Sequence, residues 1–113
     1  MIPDTGERVN PDEVQELEHN LEADAILIRS SIKTPELTDA AIDSGIEGQF
    51  RIEVFVDEKG NVVNTEQDRK VGYQMDSLLI QAAKRARFIP RKNKKGQAIS
   101  GWSYILFNLV QPF

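Results

Sequence analysis

The sequence predicts an α+β domain: a three-stranded antiparallel sheet, strand order 2-1-3, with helices packed on one face. Three observations carry that reading. An apolar alternation of period two begins at Phe50, turn chemistry follows at Asp57–Gly60, and a long β-prone run spans Ala98 to Val110 near the end of the chain. One helical repeat separates the hairpin from the last run. A right-handed crossover through it sets the second and third strands parallel, on either side of the first.

Residues 1–10 read as a flexible tail. Asn10, Pro11 and Glu13 then supply an N-cap, a first-turn proline and a capping-box acid. Val14, Leu17, Leu21 and Ile28 recur near helical spacing, with Ala25 between them. Residues 11–33 are therefore expected to hold an extra N-terminal helix and its connection, with "AILIRS" (25–30) fitting either the last helical turns or a short extended piece. The acids Asp12, Glu13, Glu16, Glu18 and Glu22 suit the N-terminal turns of that helix. Thr34 as a cap, Pro35 at the first helical position and Gly45 as a stop predict a second, short helix. Leu37, Ala40, Ala41 and Ile42 give it an apolar side.

In "GQFRIEVFV", Phe50, Ile52, Val54 and Val56 share one face, and Arg51, Glu53 and Phe55 the other, which describes a half-buried strand. "DEKG" (57–60) turns the chain, with Gly60 open to positive φ, and returns residues 61–69 as a polar edge strand. Asp76 or Ser77 caps the next helix, whose inner stripe is Leu78, Leu79, Ala82, Ala83 and Ala86. Phe88 pins its end and Pro90 stops it. "RKNKKGQ" reads as a polar loop. The last run puts Trp102, Tyr104 and Leu106 on one side and Ile105, Phe107 and Leu109 on the other. A strand apolar on both faces is normally central. Here the crossover leaves it at an edge, where it needs a cover or an added strand.

Composition narrows the function. The 113 residues suffice for one modest core, hold no long apolar span or signal-peptide pattern, and contain no cysteine, so disulfides and thiolate metal sites are excluded. Residues 1–60 carry five basic side chains against fifteen acidic, and the remainder nine against three. Seven of the nine fall in "KRARFIPRKNKKG" (84–96), the usual form of a nucleic-acid or membrane patch. The "FIP" inside it marks a helix end, however, and the aromatics read as core rather than as stacking groups. Glu16 and His19 have the i, i+3 spacing of carboxylate-bridged metal sites. One copy on an acidic helix reads as a solvated face, so no metal or other cofactor is expected. No serine lies in a nucleophile-elbow context, and Gly45-x-x-Gly48 lacks the phosphate-loop pattern, so catalysis is not expected.

"GIEGQFRIEVFVDEKGNV", "LLIQAAKRARFIP" and "ISGWSYILFNL" resemble, in that order, the C-terminal domain of TonB-type energy transducers. Pro35 matches the proline of the family's Tyr-Pro pair, Glu47 and Gly48 its Glu-Gly, and Asp57 and Gly60 its D-x-x-G turn. Phe88 and Pro90 match its F-x-P helix end, and Trp102 with Phe107 fits its last strand. Ala86 stands where the family has Trp, and Thr34 where it has Tyr, differences that bear on partner choice. The resemblance spans roughly residues 34–110 and implies a TonB C-terminal-like domain over 34–113, with the acidic segment outside the pattern.

The resemblance implies a periplasmic, non-enzymatic module that drives outer-membrane transport. Its partner would be the TonB box, a short extended segment of an outer-membrane receptor that adds alongside the last strand. If the chain is a fragment of such a transducer, an anchor and a Pro-rich linker upstream tether it to an inner-membrane motor complex. By position, the implied contacts are Ser31, Ile32 and Lys33, with Trp102, Ser103, Tyr104, Ile105, Leu106, Phe107, Asn108 and Leu109. Backbone bonds of roughly 0.5–1.5 kcal/mol each imply reversible binding. A proline at Ile105 or Phe107 is expected to abolish it by removing a ladder N–H. Two other readings stay open at this point. One is a stand-alone envelope scaffold or homodimeric interaction module of the same fold; the other is a small basic-faced nucleic-acid-binding domain.

Overall fold

Period-two alternation becomes the centre of the molecule. In a computed structural model, which describes residues 22–112, the elements run β1 (Ile26–Leu27), a 3-10 turn (Arg29–Ser31), α1 (Asp39–Ser44), β2 (Gly48–Val56) and β3 (Val62–Glu66). They continue with α2 (Asp76–Lys84), β4 (Phe88–Ile89), β5 (Arg91–Lys92), β6 (Ala98–Ile99) and β7 (Gly101–Leu109). The expected tail and the stretch of acidic helix over 11–21 lie outside the described residues. No described helix is long and apolar enough to cross a membrane.

The main sheet has the order β3-β2-β7, with both pairings antiparallel, so β2 is central and β7 is an edge. Phe50, Ile52, Val54 and Val56 of β2 and Ile105, Phe107 and Leu109 of β7 form one core with Ala41 of α1 and Leu79, Ala82 and Ala83 of α2. The helices therefore cover one face of the sheet. On the other face Trp102, Tyr104 and Leu106 stay about half exposed. Two of them are partly shielded: Phe55 meets Trp102 edge-on at 5.3 Å, and the Arg51 guanidinium lies 4.1 Å over the Tyr104 ring.

The β2–β3 turn is held by Asp57, whose Oδ1 accepts from the N–H groups of Lys59 and Asn61. Gly60 takes φ +86° there, and a Cβ on it would collide with the Phe88 carbonyl oxygen. The Phe88 N–H in turn donates to the Gly60 carbonyl at 2.9 Å. The hairpin tip is thus docked on the residue that leaves α2, which links two distant sequence motifs in one contact.

Several boundaries differ from expectation. The short helix starts at Asp39 rather than Pro35, because Thr38 supplies the cap: its Oγ1 accepts from Ala41 N–H and donates to the Tyr73 carbonyl. The stop at Gly45 holds, with φ +72°. The second strand ends at Glu66, short of Arg69. Asp76 is the first residue of α2 and not its cap, since its carboxylate is taken by the N–H groups of Val71 and Gly72 and by the Gln67 amide. Of the two options for residues 25–30, the extended one holds: β1 pairs antiparallel with β4, and Ala23 and Lys92 exchange backbone hydrogen bonds of 3.1 and 2.9 Å. The stretch after Pro90 is no plain loop but a hairpin of β5 and β6, closed by Asn93 Oδ1 accepting from the N–H groups of Lys95 and Gln97. The last run is broken at Ser100 between β6 and β7.

Candidate functional site: an open strand edge

An antiparallel ladder sends the N–H and C=O of successive residues alternately to the two sides of a strand. Asp57 N–H donates across the hairpin to the Asn61 carbonyl at 2.9 Å, so the odd-numbered residues of β2 turn their backbone groups toward β3. The even-numbered residues of β2 then turn theirs toward β7. Their partners are the odd-numbered residues there: Val54 with Ser103, Ile52 with Ile105, Phe50 with Phe107, Gly48 with Leu109. It follows that Trp102, Tyr104, Leu106 and Asn108 direct N–H and C=O to the open side. Among the described residues, no strand pairs there.

The open edge borders a groove of about 720 Å³. Its near wall is β7 from Trp102 to Leu106 together with Asn108, and its far wall is the N-terminal arm, with Asp24, Ala25, Leu27 and Arg29. Phe88 and Arg91 also line it. Pairing with β4 fixes the arm, and Ala25 and Leu27 pack on the core, so the groove has two structured walls. Arg91 passes close to Gly101: a Cβ at position 101 would lie 3.2 Å from its Cδ. Its Nε is buried with no hydrogen-bond acceptor, and its Nη2 lies 3.8 Å from Glu22 Oε2. Asn108 also borders a second pocket of about 380 Å³, lined by Thr34–Leu37, Ile42, Leu109, Val110 and Pro112. Gln111 fixes that last stretch. Its N–H donates to Glu47 Oε2, and its side-chain amide donates to the carbonyls of Ala41 and Ile46.

The residues singled out in the sequence take different places. Trp102, Tyr104, Leu106 and Asn108 are exposed at the edge, while Ile105, Phe107 and Leu109 turn into the core and Ser103 is half-buried. Ser31 is engaged in the fold: its hydroxyl donates to the Ile28 carbonyl and accepts from Arg87 N–H at 2.8 Å. Ile32 packs against the core, and Lys33 is exposed. The neighbouring Thr34–Leu37, rather than these three, line the second pocket. Sequence reading missed the far wall of the groove, since a two-residue strand such as β1 has no periodicity to detect. Among the described residues, no cluster of acidic or histidine side chains converges to hold a metal ion.

The strand order, the turn and the edge invite comparison with known proteins. No curated protein matches the chain. Among solved structures, the solution NMR structure of the TonB C-terminal domain of Pseudomonas aeruginosa is similar, with a TM-score of 0.49 and 19% identity over 74% of this chain and 90% of that one. The family described as Gram-negative bacterial TonB protein C-terminal matches residues 33–109, which hold the whole sheet and both helices. The chain therefore belongs to the TonB C-terminal domain family.

Proposed function

We propose that the chain is a periplasmic protein-binding domain of a TonB-like transducer. In this reading it engages the N-terminal segment of an outer-membrane receptor by strand addition to β7 and so passes energy to transport. Membership of a family of interaction domains, rather than of enzymes, supports the class. The observation that carries the mode of binding is the edge itself: four residues of β7 direct backbone groups into a groove with two structured walls. An extended peptide satisfies those groups without remodelling the sheet. Each backbone bond contributes roughly 0.5–1.5 kcal/mol net, and ordering the peptide offsets much of the sum. Binding near micromolar is expected, and it suits a partner that is engaged and released.

The test is an amide NMR titration of the full chain with receptor N-terminal peptides and a scrambled control. Shifts concentrated on Trp102–Asn108 and on the facing arm are expected. Absence of shifts, combined with relaxation rates of a dimer, would show the edge occupied by a second copy and would replace receptor engagement with self-association.

A further inference from the structure

An added strand continues the pleat of its neighbour, so its side chains fall on the same face as those of the residues they oppose. Residues of the incoming segment opposite Ile105 and Leu109 therefore point to the face that carries the core. The two cavities lie at those positions. Opposite Ile105 is the core side of the groove, with Leu27 and Phe88 on its lining, while Gln49, Tyr104 and Leu106 line its other side. Opposite Leu109 is the second pocket, with Leu37, Ile42 and Val110. Asn108 borders both, so the cavities adjoin, and the position opposite Phe107 falls between them.

Ile105 and Leu109 are four residues apart, which in an extended chain is about 13 Å. The groove also has a charge preference. Arg29 and Arg91 line it with one acid, Asp24; Glu22 reaches only Arg91 Nη2, at 3.8 Å, and Arg91 Nε is buried without an acceptor. We infer that the groove and the pocket together read two apolar side chains, at i and i+4, of the extended segment that pairs with β7, and that this segment carries a carboxylate at its Trp102 end. The inference rests on edge pairing along β7. The occupant is a segment of another protein. A second copy pairing through its own β7 cannot supply the two side chains, because its Ile105, Phe107 and Leu109 are committed to its own core.

The experiment uses the full chain and a set of nine-residue capped peptides. Each has two leucines on a polar, β-prone background, spaced i+2, i+3, i+4 or i+5, and one aspartate at either end. The i+4 peptide is expected to bind about tenfold tighter than the i+3 and i+5 peptides, whose leucines fall on opposite faces. Its methyl groups should give NOEs to Phe88 or Leu27 at one end and to Ile42 at the other. Ile42→Ala should weaken the i+4 peptide and leave the i+3 peptide unchanged, and Arg91→Gln should erase the preference between the two aspartate positions. Equal affinity across the spacings, with shifts still on Trp102–Asn108, overturns the two-pocket inference and leaves edge pairing intact. No shift with any peptide overturns both.

Discussion

Two glycines with the same backbone requirement show how surroundings set the cost of a side chain. Gly45 and Gly60 have φ of +72° and +86°, but a Cβ at Gly45 meets nothing within 4 Å while one at Gly60 runs into the Phe88 carbonyl. Gly45→Ala should therefore cost about 1 kcal/mol, the left-handed penalty alone. Gly60→Ala should cost at least about 2 kcal/mol more, since the hairpin tip must lift from the exit of α2. Urea denaturation of both variants checks the difference. Asp76 is the other residue whose role is particular. Burial pushes its carboxyl up, but the N–H groups of Val71 and Gly72, the Gln67 amide and the Lys70 charge outweigh it and hold the pKa below the ordinary 3.8. Its folded pKa is depressed, so its contribution is fully present above the unfolded value and is lost as pH falls below about 3.8 through the folded value. Asp76→Asn should lower stability at pH 6 and show a smaller further loss between pH 5 and pH 2.5 than the unaltered chain. Denaturation midpoints at the three pH values decide it; equal losses would show that Asp76 contributes nothing there.

At the scale of elements, the parity of β7 separates folding from binding within one strand. The N–H groups of Ile105 and Phe107 are directed at β2, and their side chains are buried, so Ile105→Pro or Phe107→Pro should unfold the domain. These are the positions at which sequence reading expected a proline to abolish partner binding, and the ladder register shows why they cannot isolate that effect. Tyr104→Pro and Leu106→Pro act on the open side, where an edge strand tolerates proline. Circular dichroism should report a folded domain, and the peptide titration should report lost binding. If both bind as well as the unaltered chain, the peptide does not pair with this edge. The difference between the two readings also marks what the sequence made legible. Alternation from Phe50 to Val56, the Asp57–Gly60 turn and Leu79, Ala82 and Ala83 of the α2 stripe are local patterns and appear where expected, while Leu78 is only partly buried and Ala86 lies beyond the helix end at Lys84. Parity was hidden because it depends on which hydrogen bonds close the hairpin. The far wall of the groove was hidden because the pairing of Ile26 and Leu27 with Ile89 and Phe88 joins residues some sixty positions apart through backbone groups that any sequence possesses.

On the scale of the whole molecule, charge and shape point to different partners, and salt distinguishes them. The chain has a formal net charge of −4, yet its basic residues gather in the second half, so the composition alone permits an electrostatic partner. The fold divides that cluster between elements. Lys84 closes α2, Arg91 lines the groove, and Lys92 pairs in the β5–β6 hairpin whose turn carries Lys94 and Lys95. A protein that neutralised six to ten phosphates would lose about 10³–10⁵ in affinity between 50 and 200 mM salt. Pairing along β7 with one carboxylate near Arg91 involves a single charge contact, and backbone hydrogen bonds between neutral groups are little affected by counterions. The peptide dissociation constant should therefore change by no more than about fourfold over the same range. Isothermal titration at both salt concentrations measures it. A fall of a hundredfold or more would move the binding energy from the strand edge to the basic side chains. The functional site would then lie on the β5–β6 hairpin, with a polyanion as its partner.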